Sequence, residues 1–438
     1  MKIAVIGTGY VGLVSGACFA EFGHEVTCID NDEAKIARLE QREIPIYEPG
    51  LDVLVKKNLE ANRLVFSTGY SPGVPEAEVV FIAVGTPASR RGDGYADLSF
   101  VYDAARQLAP FLSDYTVVVN KSTVPVGTAR QVARIMSEVN PAATFDVASN
   151  PEFLREGAAI NDFMHPDRVV IGVDSTRAEE VLKAVYRPLY LIETPFVITS
   201  IETAELTKYA ANAFLATKIS FINEVANICE EIGADVQDVA KGMGLDGRIG
   251  KKFLHAGPGY GGSCFPKDTH ALLRIAQENG VTCRIVEAVV EVNAAQKARM
   301  ARKIRKALGG DEGGKAIAVL GLAFKPETDD LRDAPALTIL STLLEHGARL
   351  RAHDPQAMPE AAKVLPGVKY CSSPYEACEG ADAVVLLTEW NEYRALDLMR
   401  IKQSLKQPIF IDLRNVYRPK AMAQLGFAYH SVGRVKVG

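Results

Sequence analysis

The 438 residues are 48% hydrophobic and 24% charged, which excludes a disordered chain, a collagen and a coiled coil. Forty-nine Lys and Arg against 54 Asp and Glu leave a net charge of -5, so there is no electrostatic case for nucleic acid or an anionic membrane as partner. Seven cysteines, an odd number spread thinly and without a CxxC, make neither a disulfide framework nor a structural zinc site.

At roughly 150 residues per domain, the length predicts about three domains. Lys2 and the apolar run Ile3 to Ala20 have the outline of a signal peptide, but glycines at 7, 9, 12 and 16 weaken it. No other stretch reaches the ~18 uninterrupted apolar residues of a membrane span, and the chain is expected in the cytoplasm. In the first half, buried-strand runs are predicted at Ile3 to Ile6, Glu25 to Asp30, Val79 to Val84, Thr116 to Asn120, Phe145 to Ser149 and Val169 to Val173. Val-rich and Ile-rich strands alternating with helical segments point to a parallel sheet. From Ile201 to Ile232 there is no proline and no glycine, and Gly233 follows as a stop. Leu206, Tyr209, Ala213 and Ile219 recur at helical spacing in this segment, which is long enough to bridge two domains. A second helix is predicted over Val281 to Leu308, before a break rich in glycine. The last part echoes the first. Ala316 to Leu320 ends at Gly321, Arg349 to Asp354 ends in Asp, Ala383 to Leu387 ends in Thr388, and Pro408 to Asp412 follows. The fold predicted is α/β, with two doubly wound Rossmann-like domains joined by a helical one.

Gly7, Gly9 and Gly12 form a GxGxxG that follows the first strand and opens a helix. Gly7 permits the turn, Gly9 lets backbone approach a pyrophosphate, and Gly12 permits close packing of helix on strand. The helix N-terminus, with Tyr10 and Val11, then faces the phosphates. Asp30 closes the second strand and suits both hydroxyls of an adenosine ribose. A 2′-phosphate about 4 Å from it would be repelled by about 4 kcal/mol at an effective dielectric of 20, so NAD is expected rather than NADP. Lys35 has two readings, a ribose contact or a solvated helix position.

Cys264 is the thiol that stands apart. It lies in GYGGSCFPKD at 259–268, where glycines let backbone wrap a ligand, and Lys267 and Asp268 follow within a turn. A nearby cation or helix N-terminus turns such a thiol into a nucleophile. The other six have apolar or helical neighbours and read as small core or surface residues. Lys208 and Asn212 are four apart on the long helix and share a face. By themselves they read as a surface Lys and a mid-helix Asn, a poor helix former whose presence wants a reason.

These motifs occur with VGTP at 84–87, KSTVPVGT at 121–128, NPEFLREG at 150–157, ELTKYAANAF at 205–214 and GLAFKPETDDLRDAP at 321–335. Together they resemble the UDP-glucose/GDP-mannose dehydrogenase family over essentially the whole chain. Within that family, the run at 248–268 is more similar to the UDP-glucose branch. The resemblance implies an NAD-binding Rossmann domain at 1–200, a helical linker and dimerisation domain at 201–300, and a UDP-sugar-binding Rossmann-like domain at 301–438. It implies a four-electron oxidation of UDP-glucose to UDP-glucuronate through a thiohemiacetal and a thioester on Cys264.

The same resemblance implies the remaining roles. Lys208 and Asn212 hold the oxyanion at C6. Asp268, Glu156 and Thr123 are the other catalytic candidates, and the proton transfers are not divided between the two acids. Glu152 and Glu156 have a second reading, as carboxylates that hold a loop. Glu152, Phe153, Leu154, Arg155, Lys208, Asn212, Phe253, Leu254, His255, Ala256, Gly257, Gly261 and Lys325 match substrate positions. Arg248 matches an arginine that reaches a neighbouring subunit's substrate, which implies at least a homodimer. Thr86, Thr123, Glu156, Lys267 and Arg332 match cofactor-side positions. The turn after the Ala316 strand has Ala at 323, so it lacks a GxGxxG; the last domain is expected to hold the nucleotide sugar and not a dinucleotide. Glu327 stands where Asn is common in relatives.

Overall fold

The structure is a computed structural model, and it describes residues 1–87, 89 and 94–438. The chain divides into two compact units, Met1–Ala211 with Gln277–Asn279 and Asn212–Ala276 with Gly280–Gly438.

The first unit is built on one sheet. Its strands are β1 (Lys2–Ile6), β2 (Glu25–Ile29), β3 (Leu64–Ser67), β4 (Val79–Ile82), β5 (Thr116–Asn120), β6 (Phe145–Ser149), β7 (Val169–Gly172) and β8 (Phe196–Thr199). The order is β3-β2-β1-β4-β5-β6-β7-β8. All neighbours are parallel except β6 and β7. The central strands β1, β4 and β5 are mostly apolar and buried because both faces are covered. Ile3, Val5 and Phe81 pack on Leu13 and Phe19 of the Tyr10–Glu21 helix. Ala4, Ile6 and Val118 face Val101, Leu108 and Val132 on the other side. The order in which strands are added to the sheet reverses between β1 and β4, and the crevice at such a switch point is where α/β sheets bind ligands. The glycine turn that follows β1 sits there. Strands β3 and β8 lie at the edges and are half-exposed, so neither has a continuous apolar run to announce it.

The second unit repeats this plan. Its strands are β9 (Ala316–Leu320), β10 (Arg349–His353), β11 (Lys369–Tyr370), β12 (Ala383–Leu386), β13 (Ile409–Asp412) and β14 (Ala428–Ser431). They are all parallel, in the order β11-β10-β9-β12-β13-β14. The echo read from the sequence is therefore a shared topology, with the same reversal beside the first strand.

The helix at Ile201–Ile232 has the bounds expected from its composition. It is about 48 Å long at ~1.5 Å per residue. Gly233 stops it at φ 77°, and the Ala234 N–H reaches back to the Cys229 carbonyl at 3.0 Å. Within the second unit, Ala216 and Ile219 of this helix pack with Tyr260, Phe265 and Val289. Val289 belongs to the second long helix, Arg284–Ala307. The opposite flank is bare: Phe214, Phe221 and Ile228 recur at seven-residue spacing and are 65%, 49% and 57% exposed. Leu206, grouped by period with buried Tyr209 and Ala213, is exposed instead. At about 100° per residue it falls toward the flank of the bare stripe.

Candidate active site

The turn after β1 fits a dinucleotide. Gly7 has φ 98°, and a Cβ there would meet the Ala83 carbonyl oxygen at 2.7 Å. A Cβ at Gly12 would lie 1.9 Å from the Gly7 oxygen. At Gly9 it would meet nothing within 4 Å, so this is the open side that a pyrophosphate can approach. Asp30 is bound by the Thr8 N–H and hydroxyl at 2.8 and 2.7 Å and by Lys35 Nζ at 3.0 Å, all on Oδ2. Among the described residues, Oδ1 takes only the Asp32 N–H, at 3.0 Å, and keeps room for a ribose hydroxyl. Burial works to raise the Asp30 pKa, but the hydrogen bonds from Thr8, Asp32 and Lys35 outweigh it and hold the carboxyl below its usual range. Lys35 is therefore not idle on its helix: it braces Asp30 with one of the three donors an ammonium carries. Thr86 donates to the Thr123 carbonyl at 3.0 Å, which ties VGTP to KSTVPVGT.

A buried charge cluster lies in the same unit. Lys208 Nζ is 3.2 Å from Glu152 Oε1, and both side chains are almost wholly buried. Glu152 Oε2 takes the Leu154 N–H at 2.5 Å, so this acid does shape its own loop. Two cations lie over the Phe153 ring, Arg168 at 3.5 Å and Lys208 at 5.1 Å from its centroid. Lys121, at the end of β5, is a second buried ammonium. It donates to Asn150 Oδ1 at 2.9 Å and to the Tyr186 hydroxyl at 3.1 Å. Burial pushes its pKa down to about 8, with Lys208 adding to the fall and Glu152 opposing it. Glu205 accepts the Gly127 and Ala129 N–H groups at 2.7 and 2.9 Å, fastening KSTVPVGT to the long helix; burial raises its carboxyl to about 7.

In the second unit, Cys264 immediately precedes the Phe265–Glu278 helix, and its carbonyl accepts the Asp268 N–H at 2.8 Å. The thiol thus sits at a helix N-terminus, which favours negative charge. Asp268 is buried one turn on and binds Asn212 Nδ2 and Lys267 Nζ, both at 2.6 Å. This explains a mid-helix asparagine: its amide has a buried carboxylate to bind. The glycine loop before Cys264 is clamped by amide side chains of the two long helices. Gly257 N–H donates to Asn223 at 2.8 Å, its carbonyl accepts from Gln296 at 2.8 Å, and Asn293 bonds both the N–H and the carbonyl of Tyr260. Of the other thiols, Cys283 is half-buried at the N-terminus of the Arg284–Ala307 helix but lies outside the glycine loop. Cys18, Cys28, Cys229, Cys371 and Cys378 are buried. Burial pushes the pKa of Cys18, Cys28 and Cys378 up to about 12.

Apart from Asn212 and Lys325, the residues of this unit expected on the substrate side are spread over the loop that precedes Cys264. Leu254 and Ala256 are buried in the core, while Phe253 turns through φ 65° and His255 is exposed. A Cβ at Gly257 would meet the Leu413 carbonyl and Arg414, and one at Gly261 would meet the Asp333 carbonyl at 2.5 Å. Gly262 lies on the Phe324 ring, which Lys325 also faces at 5.3 Å. Arg414 holds the Phe324 carbonyl at 2.8 Å. Asp354, the counterpart of Asp30, is wholly buried. It is consumed by the Leu322, Ala323, Gln356 and Ala357 N–H groups and the Trp390 ring nitrogen. Both oxygens are thus occupied, unlike those of Asp30. Glu327 has φ 60°, a left-handed position that Asn tolerates better than Glu.

Some expected residues are not gathered in. Arg248 is 90% exposed and paired with Asp246. Arg155 is turned to Asp162; the Arg332 side chain is turned to Asp330, but its carbonyl accepts the Gly262 N–H at 2.8 Å, two residues before Cys264. Lys121, Glu205, Glu48 and the Asn223–Asn293–Gln296 clamp were not singled out from the sequence. Only Lys121 had a signal, a charge placed directly after the apolar run TVVVN.

Three domain descriptions match the chain in order. Residues 1–190 match the UDP-glucose/GDP-mannose dehydrogenase family NAD binding domain, 202–295 its central domain, and 318–419 its UDP binding domain. The UDP-glucose 6-dehydrogenase of Rhizobium meliloti (strain 1021) is 59% identical over 99% of this chain and 100% of its own length. The UDP-glucose 6-dehydrogenase TuaD of Bacillus subtilis (strain 168) is 50% identical over 100% and 94%. The structure of a UDP-glucose dehydrogenase from Pyrobaculum islandicum superposes with a TM-score of 0.91 at 39% identity, covering 99% of this chain and 98% of that one. Among the described residues, no helix is long and apolar enough to cross a membrane.

Proposed function

Because the chain belongs to the UDP-glucose/GDP-mannose dehydrogenase family, we propose that it oxidises the C6 alcohol of UDP-glucose to the carboxylate of UDP-glucuronate. The observation that carries this reading is Cys264 at a helix N-terminus, with Asn212, Lys267 and Asp268 bonded together one turn on. The Gly7–Gly12 turn and Asp30 would hold NAD, which would supply the hydride acceptor for each of two oxidations at C6. The first leaves an aldehyde, and the Cys264 thiolate adds to its carbon to form a thiohemiacetal. The covalent bond keeps the reactive aldehyde from escaping while cofactors exchange. Lys208 and Asn212 donate to the oxyanion at C6, a contribution of about 3 kcal/mol for one such donor. The second oxidation leaves a thioester. Water adds to it, the C–S bond breaks, and the thiolate leaves. Asp268 and Glu156 take up the protons released, a kind of help worth about 10² to 10⁴ in rate. In sum, one alcohol, two NAD and one water give one carboxylate, two NADH and three protons.

The test is the yield of NADH per sugar nucleotide across UDP-glucose, GDP-mannose and UDP-N-acetylhexosamines. Two NADH per UDP-glucose, with the others poor, is the expected result. One NADH per sugar would remove the thioester route, and a preference for GDP-mannose would remove the substrate.

The bare stripe of Phe214, Phe221 and Ile228 supports a homodimer built along the long helix. In such a dimer exposed Arg248 is read as the residue that reaches the neighbouring copy's substrate, as the family resemblance implies. Phe221→Asp is expected to yield monomers by light scattering. Arg248→Ala is expected to stay dimeric and raise the UDP-glucose KM about tenfold, the loss of one charge-assisted contact, with NAD affinity unchanged. An unchanged KM would remove the shared site, and a dimeric Phe221→Asp would remove the interface.

A further inference from the structure

Glu48 lies in the loop before the Leu51–Glu60 helix, far in sequence from every motif named above, and is buried. Its carboxylate accepts three hydrogen bonds. The Tyr10 hydroxyl donates to Oε2. The Gly157 N–H donates to Oε2 at 2.6 Å, and the Ala159 N–H to Oε1 at 2.8 Å. Tyr10 is the first residue of the helix that opens at the cofactor turn, and Gly157 directly follows Glu156. One buried anion therefore joins the cofactor turn to the end of NPEFLREG, all within the first unit. Among the described residues no lysine or arginine pairs with it. Its charge is balanced by these neutral donors, so each is held to a narrow geometry. The Tyr10 hydroxyl is pushed to a raised pKa by burial first, then by its bond to Glu48 and by the charges of Glu48 and Glu156, which places the Glu156 carboxylate within electrostatic reach of the same hydroxyl.

We infer that Glu48 is a positioning residue that couples the cofactor turn to the segment bearing Glu152 and Glu156. Phosphates at the Tyr10 end of the helix restrain Tyr10, its O–H restrains the Glu48 carboxylate, and the carboxylate restrains the Gly157 and Ala159 amides. The acids of NPEFLREG are thereby set when the cofactor is present. The importance of this for rate rests on the reading that those acids act on the sugar.

The test follows amide hydrogen exchange across 152–164 in the full-length protein, with and without saturating NAD and with no sugar nucleotide. In the parent protein NAD should slow exchange at Gly157 to Ala159 about fivefold. Tyr10→Phe keeps both backbone bonds to Glu48 and should keep the protection seen without NAD, yet lose the further slowing on NAD addition. Glu48→Gln offers an amide to donors and should lose both. With UDP-glucose, Tyr10→Phe should lower kcat about tenfold while KM for the sugar stays within about twofold. A Glu48 that merely caps the Ala159–Met164 helix predicts full NAD-dependent slowing in Tyr10→Phe, and that result overturns the coupling. If the slowing is lost in Tyr10→Phe but the parent makes no NADH from UDP-glucose, the coupling stands and the substrate assignment falls.

Discussion

Cys264→Ala should abolish formation of the uronate while leaving NAD and UDP-glucose binding intact. The Cys264 carbonyl, which accepts the first hydrogen bond of the Phe265–Glu278 helix, is backbone and survives the change. The glycine loop is held by Asn223, Asn293 and Gln296, whose hydrogen bonds run to Gly257 and Tyr260, so its shape survives as well. What disappears is the nucleophile. Without it there is no thioester, and the carbon left by the first oxidation has no route to the carboxylate through the protein. Removing a covalent nucleophile commonly costs on the order of 10⁴ or more in turnover. The measurement is NADH and uronate formed per UDP-glucose, alongside calorimetric binding of each ligand. A variant that still gives two NADH per sugar would refute the covalent route.

Lys208→Met should damage both stability and rate. Its ammonium and Glu152 are buried together, so the variant leaves a carboxylate without its nearest cation. Breaking a buried pair from one side costs about 3–5 kcal/mol. Here Lys121 reduces the loss, because its charge also acts on Glu152. The sign of the pH effect follows from Lys121, whose pKa is depressed to about 8 from an ordinary 10.5. Below about pH 8 it is charged in the folded and unfolded states alike, and burial is fully unfavourable. Between the two values the folded state has shed the proton and the unfolded state has not, so the parent protein gains stability as pH rises through this window. In Lys208→Met the repulsion from Lys208 is gone, the Lys121 pKa rises, and that window narrows. The melting gap between parent and variant should therefore widen above pH 8. The rate should fall about 10²- to 10³-fold through loss of an oxyanion donor. Lys208→Met with Glu152→Gln should recover most of the stability and none of the rate. A single variant that melts like the parent, or a double variant that regains activity, would contradict this account.

Much of the site was legible because it is local. Gly7, Gly9 and Gly12 act within one turn, and Asp30 ends the next strand. Cys264, Lys267 and Asp268 share the start of one helix. The bounds of the long helix follow from an uninterrupted composition and a stop at Gly233. The edge strands β3, β8, β11 and β14 were missed, since partial exposure removes the apolar run that marks a central strand. Lys35 was ambiguous because its partner depends on where the end of β2 stands relative to the following helix.

The sequence by itself determined two doubly wound sheets, a cofactor turn with an acid chosen for NAD, a long helix and one distinctive thiol. All of these are written in periodicity, in residues with special backbone freedom, or in neighbours a few positions apart. The tertiary structure decided which buried polar groups find each other. Glu152 meets Lys208, Asp268 meets Asn212, and Glu48 meets residues 109 and 111 positions away. It also decided that Asp354 is spent on backbone amides while its counterpart Asp30 keeps an oxygen available. The reason is physical: a buried charge must be satisfied by whatever donor the packed fold brings near, and no local pattern in the chain specifies which donor that is.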